Sequence, residues 1–477
     1  MKLELLGTDH RYAAEQMALA LLPAQEAGEA QGKITLSPDK TAAFAEFSLP
    51  SGRFQGEITA QEARQGAADG QEALEKRMVK LAVYRALRPA VGDRPWGALS
   101  GVRPAKLPRK LMAQGLTPQE ALALLTGLYD LAPEKARLTM ACAQAALDAQ
   151  ARFAPRDISL YLGVPFCPTR CAYCSFISAD VAGSAKLVEP YVDALCREIL
   201  WAGRLVSKRG LRVRTVYMGG GTPTTLSAPQ LERVLTALDS WLDREALLEF
   251  TVEAGRPDTI TPEKLAALQN RRVDRISVNP QTLEPHVLTA MGRAHTPEDF
   301  FRAYRMAAPL GFAINTDLIA GLPADRPDGF RRSLDGVLAL EPDEITVHTL
   351  ALKHGSALLN SPEELPGEEA AAQMLAYAHA VLPDHGYRPY YLYRQKYMAG
   401  ALENVGWTRR KAGSLYNIVM MEELHSVLSL GAGGVTKVVD PKTGYIFRRA
   451  NPKYAREYLE RLADTMKERE EIVWPIN

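Results

Sequence analysis

Three of the chain's five cysteines fall within eight positions, in SLYLGVPFCPTRCAYCSFIS, as Cys167, Cys171 and Cys174. Free cysteines normally scatter through cores, so a cluster of three points to shared chemistry. The spacing lets three thiolates converge on one centre with little loop to close. A structural zinc site needs four ligands. No histidine lies between His10 and His286, and Cys196 falls in a helical pattern. A disulfide would leave one thiol over. A 4Fe–4S cluster on three thiolates leaves one iron open to a small molecule. Cys142 and Cys196 lie on apolar helix faces and read as core thiols.

The elements that must position these thiols follow from periodicity. Residues 1–60 mix an opening strand (LELLG), a helix (YAAEQMALALL) and two strand-like runs (GKITLS, AAFAEFSL), and residues 72–150 read as helical throughout. From 157 the rhythm changes. ISLYLGV, RTVYMGG, LLEFTVEA, DRISVNP, FAINTDLI and EITVHTL alternate with helical stretches, which predicts a parallel sheet with right-handed crossovers. Six repeating units point to an incomplete α/β barrel. The expected organisation is an N-terminal α+β and helical accessory domain over 1–150, the partial barrel over 151–360, and a mostly helical, substrate-covering region over 361–477.

Active sites of α/β barrels collect at the C-terminal strand ends. The cysteines follow the first strand. The second ends in Gly219, Gly220, Gly221, Thr222, Pro223, where glycines allow close backbone approach and exposed N–H groups can bind carboxylate. It is no P-loop, since no Gly-Lys-Ser/Thr follows. Glu253, Asn279, Gln281, Asp317, His348 and Thr349 end the later strands. A polar residue after one strand is commonplace; five strands in succession, with the cysteines at the first, are not.

Net charge is +1, so no global field favours nucleic acid or an anionic membrane. WGALSGVRPAKLPRKL is basic but lacks interleaved aromatics, and a solvated connector explains it better than a nucleic-acid patch. The charged N-terminus lacks a signal-peptide core, and no apolar run nears the roughly 20 residues needed to span a bilayer. Five sparse cysteines predict reduced thiols and a cytoplasmic protein, expected to be monomeric.

C-x3-C-x-x-C with Tyr173 before its last cysteine resembles the cluster motif of radical S-adenosylmethionine enzymes. The order of strand-end residues from about 157 to 355 resembles the oxygen-independent coproporphyrinogen III oxidases, which are dehydrogenases. The first 150 residues and YYLYRQKYM…LENVGW look like the branch called the HemZ type. The resemblance implies a 4Fe–4S cluster on Cys167, Cys171 and Cys174 and two S-adenosylmethionine molecules per chain. It implies that Tyr161, Gly220 within GGGTP, and Glu253 contact the first. Tyr173, Gly221, Thr222, Gln281, Arg293, Asp317 and Ala351 would contact the second. Arg293 could clamp a carboxylate or form an ion pair with Asp317. The chain departs from the better-known branch at Gly163, where that branch has histidine, and at Phe176, where it has a further cysteine.

The implied reaction converts two propionates of a tetrapyrrole to vinyl groups with loss of carbon dioxide, using an electron donor and an acceptor that the resemblance does not name. Tyr390, Tyr391, Tyr393, Arg394 and Lys396 would suit a flat, carboxylate-bearing macrocycle, or simply form a strand with one core face. Two other readings stay open: a haem-processing methyltransferase, which would show methyl transfer, and a haem-binding chaperone without turnover.

Overall fold

The computed structural model describes residues 1–65, 70–174, 179–351, 356, 358, 365–395 and 402–474. They form two compact units, Met1–Gln144 and Ala145–Asn477. In the first, strands β1 (Lys2–Leu6), β2 (Gln31–Leu36), β3 (Ala42–Leu49) and β4 (Gly52–Thr59) pair in sequence order. β3 alternates buried and open positions along its length, the signature of a sheet with one covered face. The helix Gln71–Val91 covers that face, and it approaches so closely that a Cβ on Gly56 would stand 2.2 Å from the Ala86 nitrogen.

The second unit is built on an eleven-stranded sheet. Its parallel strands are β5 (Asp157–Val164), β8 (Arg212–Gly220), β9 (Glu249–Glu253), β10 (Arg275–Ser277), β11 (Ala313–Ala320) and β12 (Glu344–Thr349), neighbours in that order. Between β5 and β8 the short strands β6 (Phe166–Cys167) and β7 (Ala179–Asp180) pair with each other and close the base of the cysteine loop. Five of the eight β5 residues are apolar and it is buried almost end to end, as a strand covered on both faces must be. Helices between the strands, such as Ala228–Asp239 and Pro297–Ala307, carry capping boxes at Ser227 and Thr296 that satisfy their first amides. The six expected units are therefore present, and the sheet remains open.

The C-terminal region supplies helices Glu368–Asp384, Leu415–Glu422 and Ala455–Glu470. It also supplies β13 (Arg388–Arg394), β14 (Glu403–Thr408), β15 (Ser426–Gly431), β16 (Val435–Val439) and β17 (Ile446–Ala450). β14 and β13 extend the sheet antiparallel from β12. β15 adds a seventh parallel strand beside β5, followed by β16 and β17. The expected division at 360 therefore falls inside one unit. The expected boundary at 150 moves to 144, because Ala146 and Ala149 of the helix Pro133–Gln150 pack with Tyr390, Tyr391, Leu415 and Ile418.

Candidate functional site

The cysteine loop starts where β5 runs into β6. Cys171 is buried, while Cys167 and Cys174 are half-buried. Turn bonds tie the loop down: the Cys174 N–H donates to the Cys171 carbonyl at 3.1 Å and the Ala172 N–H to the Met291 carbonyl at 3.0 Å. Thr169 Oγ1 donates to the Gly292 carbonyl at 2.9 Å. The Cys167 Sγ lies 3.6 Å from Thr222 Oγ1, and Arg256 Nη1 donates to the Cys171 Sγ at 3.7 Å.

GGGTP sits against this loop, but not as expected. The Gly221 N–H donates to the Val164 carbonyl and the Thr222 N–H to the Phe166 carbonyl, both at 2.7 Å. The Gly220 N–H faces the Glu253 carboxylate. These amides are spent on the protein rather than presented to a ligand. The glycines serve close approach instead: a Cβ on Gly221 would meet the Phe166 oxygen at 2.5 Å, and Gly220 adopts φ 109°.

Glu253 ends β9. Burial pushes its carboxyl up to about 7, opposed by the hydrogen bond that Tyr217 Oη donates and reinforced by the charge of Asp317. Tyr217 is two residues before Gly219 on β8, and its ring stacks on Tyr416 at 4.5 Å between centroids. Tyr161 joins the same stack, 6.3 Å from each. Its hydroxyl reaches toward Gly220. The alternation of β8 puts Tyr217 on the same side as Gly219, a signal the sequence reading left unused.

Asn279, Gln281, Asp317 and His348 form one linked chain. Asn279 Nδ2 donates to Asp317 Oδ2 at 2.9 Å, and the Asp317 N–H donates to Asn279 Oδ1 at 3.1 Å. The Gln281 N–H donates to the Asp317 carbonyl at 3.0 Å. Asp317 lies within β11 rather than at its end. Burial alone would raise its carboxyl, but His348, 3.7 Å away, and the Asn315 amide outweigh that and hold it below the usual carboxylate range. Gln281 takes φ 68°, an uncommon conformation for this residue type, and its buried Oε1 has no hydrogen-bond partner among the described residues. Ala351 follows β12 at the same end of the sheet.

Arg293 meets neither expectation made for it. Nη1 donates to Tyr173 Oη at 2.9 Å, and Nη2 donates to the carbonyls of Gly255 and Asn279 at 3.1 and 2.8 Å. Nε donates to His295 Nδ1 at 3.4 Å. Four of the five guanidinium N–H groups are thus committed, which leaves no bidentate fork for a carboxylate. Nor does Arg293 pair with Asp317, whose ionic partner is His348. Arg293 instead ties Tyr173 to the ends of β9 and β10. Burial, with Arg293 next, holds the His295 imidazole down to about 3, so it stays a neutral acceptor.

The aromatic-basic segment is mostly core. Tyr390 and Tyr391 are 2 % and 5 % exposed, and Tyr390 Oη donates to Glu344 Oε2 at 3.0 Å. Tyr393 stands apart: its hydroxyl is 3.4 Å from His348 Nδ1, beside Asp317. Arg394 is half-buried. Lys396 and Phe176 lie outside the described residues. Of the two other cysteines, Cys142 is a core thiol as expected, whereas Cys196 is half-buried.

Three thiols on one loop, a string of polar strand ends and a parallel sheet together define a class. The model described as the Radical SAM superfamily matches residues 161–335, which run from β5 into the helix before β12. The chain belongs to this superfamily, and within it to the HemZ-like group of oxygen-independent coproporphyrinogen-III oxidase-like proteins. The oxygen-independent coproporphyrinogen-III oxidase-like protein HemZ of Bacillus subtilis (strain 168) is 40% identical over 376 residues, 77% of this chain and 74% of the relative. The heme chaperone HemW of Lactococcus lactis subsp. lactis (strain IL1403) is 34% identical over 237 residues, 49% of this chain and 60% of the relative. The solved coproporphyrinogen III oxidase HemN of Escherichia coli, described as a radical SAM enzyme, shares the fold. It superposes with a TM-score of 0.54 at 24% identity, over 68% of this chain and 73% of that one.

The superfamily carries a 4Fe–4S cluster and S-adenosylmethionine. The residues fit such a group. The free thiols Cys167, Cys171 and Cys174 of one loop would supply the soft thiolate ligands that an iron–sulfur cluster takes. The hydrogen-bond donors at Cys171 and Cys167 suit thiolates, and the orphaned oxygen of Gln281 marks a place for a further donor.

Proposed function

We propose that the protein carries out the oxygen-independent oxidative decarboxylation of coproporphyrinogen III to protoporphyrinogen IX in haem biosynthesis. In this reading Cys167, Cys171 and Cys174 hold the cluster, and the chain binds two S-adenosylmethionine molecules. When bound, the cluster and the first S-adenosylmethionine supply a 5′-deoxyadenosyl radical able to take hydrogen from a propionate β-carbon. Glu253, aligned by Tyr217, accepts a hydroxyl of the first molecule, with Tyr161 and Gly220 beside it. Gln281 and Asp317 accept the polar groups of the second near Gly221, Thr222 and Ala351, and Arg293 acts by fixing Tyr173. An external donor and acceptor exchange the electrons, and the protein works in the cytoplasm.

The observation that carries this reading is the Gln281 carboxamide, strained, buried and with its oxygen unpartnered among the described residues, bonded through its backbone to Asp317. Such strain persists where the surroundings impose it, commonly at ligand sites. A second reading, a haem-binding chaperone, is favoured by the HemW relatives that align with about half of this chain. One anaerobic assay separates them. Cluster-loaded protein with dithionite, S-adenosylmethionine and coproporphyrinogen III should yield a product lacking two carboxyl groups, together with 5′-deoxyadenosine. A methylated product, or haem retained on the protein with no product, overturns the proposal.

A further inference from the structure

Arg256 lies three residues beyond Glu253, in the loop after β9, and its side chain is almost wholly enclosed at 3% exposure. Burying a guanidinium costs several kcal/mol unless its donors are satisfied. Nε and Nη2 grip the two oxygens of Asp258, each at 3.1 Å. Nη1 reaches the carbonyl and the hydroxyl of Thr169, both at 3.2 Å, and also the Cys171 Sγ at 3.7 Å. The first two contacts staple the cysteine loop to β9, and a staple alone needs nothing at the sulfur. The third arm is what a staple does not explain.

We infer that Arg256 sets the reduction potential of the bound cluster through its hydrogen bond to Cys171. This rests on Cys171 being a cluster ligand. Adding an electron to the cluster increases the negative charge carried by its thiolate sulfurs. A cationic N–H donor favours the form with more charge, so it raises the potential. The Asp258 carboxylate offsets part of the charge of Arg256, but it lies on the other edge of the guanidinium and leaves the N–H aimed at sulfur. The three thiols are not treated alike. Among the described residues, Cys167 meets the neutral Thr222 hydroxyl at 3.6 Å. A second cation near Cys171, Arg293, has its arms on Tyr173, His295 and two carbonyls.

The test is a redox titration of anaerobically reconstituted full-length protein, followed by electron paramagnetic resonance, with iron and sulfide counted on the same sample. Arg256→Gln should keep the wild-type iron content. Its ratio of reduced to oxidised cluster at a fixed poise should fall about tenfold, equivalent to a potential about 59 mV more negative for a one-electron couple. Thr169→Val, which trims the staple and leaves the sulfur contact, should titrate as wild type. If Arg256→Gln does not load, Arg256→Lys is read instead; it keeps the charge but not the fork, and a smaller negative shift is expected. A loaded Arg256 variant with unchanged potential overturns the inference, as does an equal shift in Thr169→Val. Cys171→Ala that keeps a full cluster would instead remove the ligand assignment, a failure separable from the first.

Discussion

Gly163 of β5 stands opposite Gly431 of β15, and a Cβ built on Gly163 would lie 2.2 Å from the Ala432 carbonyl oxygen. No side chain fits there while β15 remains the neighbour. The departure from the histidine of the better-known branch is therefore a packing requirement of the seventh parallel strand. Gly163→Ala, and more so Gly163→His, should cost at least about 2 kcal/mol, because the obstructing atom is backbone and cannot swing away. Urea unfolding measures this. A Gly163→Ala protein as stable as wild type would contradict the close approach.

Glu253 gives a pH dependence with a definite sign. Its carboxyl rises from 4.5 to about 7 on folding, with Tyr217, Asp317, Arg275, Tyr161 and Tyr416 among its charged or titratable neighbours. A carboxyl raised in this way stabilises the fold fully below pH 4.5 and loses that contribution as pH climbs through about 7. The ionised form is the better acceptor, so S-adenosylmethionine should bind cluster-loaded protein more tightly at about pH 8 than at about pH 6. Tyr217→Phe removes a donor that favours ionisation and should move the binding midpoint to higher pH. Calorimetric titration across this range checks both; affinity independent of pH in wild type would remove Glu253 from the site.

Arg293→Lys should separate cluster chemistry from turnover. A lysine cannot hold Tyr173, two carbonyls and His295 together. The variant is expected to keep its iron and its basal release of 5′-deoxyadenosine. Decarboxylated product per folded chain should fall by about tenfold or more, at least about 1.4 kcal/mol at the barrier. Melting temperature and product yield are read on one preparation. Full yield per folded enzyme would show that Tyr173 needs no anchor.

The buried pair Glu198–Arg469, 3.1 Å apart, joins the helices Ala185–Lys208 and Ala455–Glu470. Burial pushes the carboxyl up and the guanidinium down, the directions expected when desolvation outweighs attraction. Arg469→Met alone should therefore cost about 3–5 kcal/mol by leaving a buried carboxylate, whereas Glu198→Met with Arg469→Met should recover much of that loss. Denaturant midpoints of the two variants decide it; equal losses would contradict the account.

Much of the site was readable because its signals are local. The cysteine spacing, the glycines after β8 and the six apolar strand runs each occupy a few consecutive residues, and periodicity reports them directly. Gln281, Asp317 and Glu253 could be placed at one end of a barrel because parallel strands share a direction. What Arg293 touches could not be read this way: an arginine after a strand end is compatible with a ligand clamp, an ion pair or a carbonyl anchor. Only the fold brings the Gly255 and Asn279 carbonyls within its reach.

The sequence by itself determined where the three-cysteine loop falls, the wound parallel sheet and the end of that sheet where polar groups collect. Tertiary structure decided which neighbours those groups have. β15 is drawn from residues 426–431 to the edge of β5, and no local pattern states which strand will pair there. That pairing demands glycine at 163. The same folding buries Tyr390 and Tyr391 beneath Ala146 and Ala149, aims Tyr217 at Glu253 and brings Arg256 to Cys171. Side-chain partners separated by long stretches of chain depend on register and packing, and these exist only once the sheet has formed and packed on its core.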